Sequence, residues 1–136
     1  MRPDFNILLI DDDDDDRLIF LAAVSEVDAS IGCYTASDGL AGLNLLDKEN
    51  TLLPDIIFLD LNMPRLDGKQ FLMERNKRER LRSIPVVVFS TTKRQEDIAV
   101  TKALGAFDFI TKPVKYKDIC DEINNVLNKV RSIALN

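Results

Sequence analysis

Four stretches of the chain close on residues able to handle phosphate or a divalent cation. ILLIDD ends on Asp11 and Asp12, IIFLD on Asp60, VVVFS on Ser90, and FDFITK on Lys112. Carboxylates gathered in one cleft repel one another and lose hydration, and a divalent cation relieves both costs. Donors that are all oxygen favour magnesium or manganese over zinc or copper. The cation also draws an anionic phosphoryl group toward a carboxylate that would otherwise repel it. In that setting Asp60 is the nucleophile, Lys112 a fixed positive charge, and Ser90 a hydroxyl donor to a phosphoryl oxygen.

Asp13 to Asp16 continue the acidic run but read differently. Directly ahead of an apolar helix, Asp13 or Asp14 caps the first turn and Asp16 serves as a first-turn acid, where the helix dipole favours negative charge. An EF-hand loop begun at Asp11 is excluded, because its sixth and twelfth positions are Asp16 and Ala22 where glycine and glutamate are needed.

Bringing these residues together takes strands that all end on one side. Asn6 to Ile10 predicts a strand, and a capped helix follows from about Asp14 to Val27 with Ile19, Phe20, Ala23, Val24 and Val27 on its apolar face. Gly32 to Ala36 predicts a second strand, then Asp38 caps a helix through Leu40, Leu43, Leu45 and Leu46. DIIFLD (55–60) is an apolar run bounded by aspartates, the pattern of a strand buried on both faces. A third helix is expected from Gly68 to about Arg80, burying Phe71 and Leu72. The valines of IPVVVFS (84–90) favour a strand. A helix from about Gln95 to Leu104, a short strand at AFDFI, and an amphipathic helix with Ile119, Ile123, Val126, Leu127 and Val130 on one side complete the order. Five strand-to-helix units with continuous apolar strands imply a doubly wound α/β parallel sheet with helices on both faces, whose site lies beyond the carboxyl ends of the strands.

Composition narrows the function. The 136 residues, 46% hydrophobic and 30% charged, match one folded domain, residues 1–136. A net charge of −5 offers no broad footprint for nucleic acid or an anionic membrane. The absence of histidine excludes imidazole catalysis and histidine-ligated zinc. The N-terminal segment lacks signal-peptide features and no apolar run reaches the roughly 20 residues that span a bilayer, so a cytoplasmic location is expected. Cys33 and Cys120 are expected as packing residues in a reducing compartment. The basic stretch RNKRERLR (75–82) reads as the solvated end of the third helix, with a docking patch for an acidic partner as the alternative.

Taken together, ILLIDDD, IIFLDLNMPRLDG, VVVFSTT and FDFITKP resemble a stand-alone receiver domain of the two-component response-regulator family. The resemblance implies a flavodoxin-like five-stranded parallel sheet in the order 2-1-3-4-5. It implies a phosphoacceptor signalling switch, which takes a phosphoryl group on Asp60 from a histidine kinase or histidine phosphotransfer protein and signals through protein–protein contacts. Asp12 resembles the direct metal ligand, Asp11 an acid acting partly through water, and the backbone carbonyl of Asn62 a third ligand to Mg2+, with Mn2+ as substitute. Lys112 resembles the family's lysine, Ser90 its hydroxyl, and Phe109 its switch aromatic. Pro64 and Gly68 resemble the turn and helix entry after the acceptor, and Pro113 the proline that follows a cis peptide. Self-association through the surface from the fourth helix to the fifth is a further implied contact. Self-phosphorylation from small phosphodonors and autodephosphorylation are expected, without conventional substrate turnover. A phosphorelay intermediate and a constitutive metal-binding interaction module are the alternatives. A phosphohydrolase with Asp60 as nucleophile is disfavoured, since Asn62 stands where a second acid is needed.

Overall fold

In the computed structural model, which describes residues 3–48 and 52–134, the apolar runs form β1 (Asn6–Ile10), β2 (Gly32–Ala36), β3 (Ile56–Leu59), β4 (Val86–Ser90) and β5 (Asp108–Thr111). They pair in parallel in one five-stranded sheet of order β2-β1-β3-β4-β5, as expected. The helices are α1 (Asp14–Val27), α2 (Gly39–Asp47), α3 (Gly68–Asn76), α4 (Gln95–Ala103) and α5 (Tyr116–Ala134).

Every residue of β1, β3 and β4 is buried, because helices cover both faces of these central strands. Side-chain alternation then sorts the core into two layers. Ile7, Leu9, Phe58, Val87 and Phe89 meet Phe20, Ala23 and Val24 of α1 and Ile123, Val126 and Leu127 of α5. Leu8, Ile10, Ile57, Leu59 and Val86 meet Leu43 and Leu46 of α2 and Phe71 and Leu72 of α3. In the first layer Phe20, Phe58 and Phe89 pack edge to face, with ring centroids 4.9, 5.7 and 6.0 Å apart. Cys33 and Cys120 pack against the same layer as free thiols. No helix among the described residues is long and apolar enough to cross a membrane.

Two expectations need correction. Ile19, placed on the buried face of α1, is 41% exposed, because the sheet accepts only the stripe through Phe20, Ala23 and Val24. The third helix ends at Asn76 instead of running to about Arg80, and a short 3-10 turn occupies Glu79–Leu81. The basic stretch is therefore only partly a solvated helix end: Lys77, Arg80 and Arg82 are exposed but lie beyond the helix. Arg78 reaches Asp47 at 2.8 and 2.9 Å, and Arg80 donates to the Leu46 carbonyl at 2.6 Å. Arg75 is only 5% exposed. Arg78 and Arg80 thus tie the chain between α3 and β4 to α2.

Phe20→Ala removes one ring of the edge-to-face group and is expected to lower stability by about 3–5 kcal/mol, measured by urea unfolding.

Candidate functional site

The parallel register sets the site. Ile10 lies beside both Ala36 and Leu59, and Ser90 beside Thr111, so the residues that follow β1, β3 and β5 leave the sheet together. Asp11 is anchored by its N–H to the Ala36 carbonyl at 3.1 Å, Asp60 to the Ile10 carbonyl at 2.9 Å, and Lys112 to the Ser90 carbonyl at 2.8 Å. Backbone bonds from the sheet edges thus fix the acids and the lysine before any side chain is considered. Asp11, Asp12 and Asp60 each offer a carboxylate oxygen, and these oxygens lie within 4.8 Å of one another.

Lys112 crosses this cluster. Its Nζ donates to Asp11 Oδ2 at 2.7 Å and to Asp16 Oδ2 at 3.0 Å, and stands 3.7 Å from Asp60 Oδ2. Burial works against its charge, but Asp11, Asp60 and Asp16 outweigh that cost and hold its pKa above the usual lysine value. Asp60, 7% exposed, shows the opposite balance. Burial pushes its pKa up, Lys112 pulls it down, and the neighbouring Asp11 charge pushes it up again, leaving it raised. Charge on Asp60 is therefore stored at a cost that a cation can relieve.

The other residues singled out by sequence fall around this cluster. Asn62 is exposed in the loop after β3, and its N–H favours the ionised form of Asp60. Ser90 is fully buried at the end of β4. Its hydroxyl lies near enough to Asp60 to favour its charge but makes no hydrogen bond to any described residue. Phe109 is half-buried on β5 and lines a shallow groove with Ile98 and Lys102 of α4. It lies outside the acidic cluster.

Pro64 accepts from the Leu66 N–H at 2.8 Å, closing a tight turn in which Arg65 adopts φ 67°. Such a conformation costs a side-chain-bearing residue about 1–3 kcal/mol. Arg65 is held there by its pairing with Asp38, the buried cap of α2. Gly68 begins α3 directly beneath the loop after β3, where a Cβ would stand 2.6 Å from the Asp60 carbonyl oxygen and 2.8 Å from Leu61 Cα. Only glycine lets the helix start so close. Pro113 follows Lys112 through a trans bond, since no described peptide is cis. The expected cis geometry is unnecessary, because the Lys112 N–H bond to Ser90 and the reach of a four-carbon side chain already bring Nζ among the carboxylates.

Two features were not read from sequence. Asp13 caps α1 by accepting the Asp16 N–H at 2.8 Å, as predicted, but Asp16 is also the second carboxylate on Lys112. Nothing in the acidic run separates it from Asp14 and Asp15. Asp97 is buried in the first turn of α4 and joins Lys69 of α3 at 2.6 Å to Thr92 of the preceding loop at 2.8 Å. Thr92 in turn accepts the Thr111 hydroxyl through its carbonyl at 3.3 Å. The loop between β4 and α4 is thereby tied to both α3 and β5, a three-element connection with no local sequence signal.

Comparison with known proteins places this geometry. The response regulator receiver domain family matches residues 7–124. The chain belongs to that family. Among solved structures, this receiver domain is similar to the phosphorylated cyanobacterial phytochrome response regulator RcpA, with a TM-score of 0.82 and 29% identity over 90% of each chain. It is also similar to the Mn2+-bound form of response regulator Rcp1, with a TM-score of 0.80 and 28% identity over 90% of this chain and 91% of that one. A curated relative, the protein-glutamate methylesterase/protein-glutamine glutaminase 1 of Burkholderia pseudomallei, is 35% identical over 98% of this chain. This receiver domain spans about a third of that relative's length, 36%. A receiver domain with clustered Asp11, Asp12 and Asp60 is consistent with phosphoaccepting signalling through an aspartate and with divalent-metal chemistry.

Two outcomes follow from the geometry. Gly68→Ala is expected to cost about 1–3 kcal/mol in urea unfolding, because its Cβ has no room without moving the loop after β3. The raised pKa of Asp60 means that this group favours folding fully below the ordinary carboxylate value of 3.8, and that contribution is lost as pH rises through the raised value. In thermal melts with chelator present, Asp60→Asn should therefore exceed the parent in stability at neutral pH, with the gap closing toward acid.

Proposed function

We propose that this receiver domain is a phosphoacceptor switch in which Asp60 takes a phosphoryl group from a histidine kinase or histidine phosphotransfer protein. The observation that carries this reading is the meeting of Asp11, Asp12 and Asp60 within 4.8 Å, with Lys112 Nζ among them. The donor set is all oxygen, which fits Mg2+ or Mn2+, with Asp11, Asp12, Asp60 and the carbonyl of Asn62 as the protein's ligands. A bound divalent ion supplies neutralisation of charge on the transferred group. The Mn2+-bound Rcp1 and phosphorylated RcpA structures support both parts of the reading by similarity.

An Asp60 oxygen attacks phosphorus in line with the leaving group. A P–O bond to Asp60 forms as the bond from phosphorus to the donor's nitrogen, or to an acyl-phosphate oxygen, breaks and its electron pair leaves with the donor. Lys112 holds its proton throughout and exchanges part of its hold on Asp11 for a phosphoryl oxygen. Ser90 brings a hydroxyl with no other described partner, so donating to a second phosphoryl oxygen costs it no existing bond. Movement of Ser90 toward phosphorus frees space beside β5, and Phe109 turns inward from its groove against α4. The surface of α4, β5 and α5 then changes for a protein partner, or for a second copy of this chain. With its cysteines free, the domain suits the cytoplasm.

Incubation with magnesium and acetyl phosphate, read by intact mass and peptide mapping, is expected to place one phosphoryl group on Asp60. Chelator and Asp60→Asn should each abolish it, and Lys112→Met should slow it by about 10²–10³-fold. Labelling of Asp60→Asn at the parent's rate would overturn the proposal. Rapid passage of the group to an added histidine phosphotransfer protein, with no change in self-association, would favour a relay role over a switch.

A further inference from the structure

At the opposite end of the sheet, where β1, β3, β4 and β5 begin, lies a cleft of about 440 Å3. That volume is in the range of small-molecule sites. Its wall includes Arg75, from the last turn of α3, although the residue is only 5% exposed. Nη1 donates to Asn76 Oδ1 at 2.7 Å and Nη2 to the Ile84 carbonyl at 2.9 Å, while Nε has no hydrogen-bond partner. Both partners are neutral, and no described carboxylate pairs with Arg75. Asp55, the one acid on the cleft wall among the described residues, accepts the Asn6 N–H at 2.7 Å and forms no ion pair with Arg75.

A buried cation without an anion is the arrangement that folded proteins avoid, since desolvation is costly unless a counter-charge offsets it. Burial accordingly pushes the Arg75 pKa down. The rest of the cleft suits an anion carried on an apolar body. Arg82 adds a second, exposed cation, and Phe107, Val130 and Ile133 supply apolar wall, with Phe107 and Ile133 partly open to solvent. Gly105 lies against the guanidinium, where an added Cβ would stand 3.4 Å from Arg75 Nη1.

We propose that this cleft binds a small organic monocarboxylate, with its carboxylate on the Arg75 guanidinium and its apolar portion against Phe107, Val130 and Ile133. One carboxylate matches what the cation lacks. With one acceptor on each terminal nitrogen and none on Nε, the guanidinium still has N–H donors to give to a carboxylate. This site is separate from the acidic cluster and does not depend on phosphorylation.

The test is a titration of the isotopically labelled full chain with 3-phenylpropionate, followed by amide chemical shifts, with 3-phenylpropionamide as the neutral control. Saturable shifts are expected at Gly105, Phe107 and Ile133 with the carboxylate, and at least about tenfold weaker binding with the amide. Arg75→Met should abolish carboxylate binding while keeping the dispersed spectrum of the parent, because an apolar side chain of similar length replaces an unpaired buried charge. Arg82→Ala, an exposed change that leaves the core intact, should weaken binding by about two- to fivefold. Equal shifts with acid and amide, undiminished carboxylate binding by either variant, shifts confined to the Lys112 cluster, or no saturable shift would each overturn the proposal.

Discussion

The ammonium of Lys112 is the charge on which the site depends. Asp11, Asp12 and Asp60 converge within 4.8 Å, and Asp60 is raised in pKa even with Lys112 nearby. Without that cation the buried Asp11 and Asp60 would face each other with little compensation, a cost that grows steeply as water is excluded. Lys112 is placed by backbone rather than by choice of rotamer alone, since its N–H is bonded to the last residue of β4. The site is thus under electrostatic tension within a rigid frame, and its clustered carboxylates are able to coordinate a divalent cation.

The frame achieves this because β1, β3 and β4 are buried throughout and have little freedom to slide. A one-residue slip would send every core side chain to the wrong layer. The loops beyond the strand ends are braced separately. Asp38 and Arg65 hold the turn after Asp60, Gly68 lets α3 close beneath it, and Asp97 ties the loop after β4 to α3. Ser90 and Phe109 lie on adjacent strands between these braces, one with an unpaired hydroxyl and the other half-exposed.

The basic stretch after α3 shows how one region can serve several ends. Arg78 and Arg80 secure α2, whereas Arg75 turns into the molecule at the amino ends of the strands and meets only neutral acceptors. The two ends of the sheet therefore carry opposite electrostatic problems: surplus negative charge at the carboxyl ends and an unpaired cation at the amino ends. Each is the kind of imbalance that a ligand of the other sign corrects.

By itself the sequence determined the elements and the acid, hydroxyl and lysine set, because each lies next to a strong local pattern. Apolar runs of strand length end on Asp11, Asp60 and Ser90, and Asp13, Asp38 and the Pro64 to Gly68 turn announce themselves by residue type. Only the tertiary structure decided which of the acids meets Lys112, that Ile19 faces water, that α3 stops at Asn76, and that Arg75 is buried. The physical reason is the same in each case. Local patterns report how a residue sits on its own strand or helix, whereas pairing and burial depend on elements distant in sequence, as with Asp16 and Lys112, 96 residues apart.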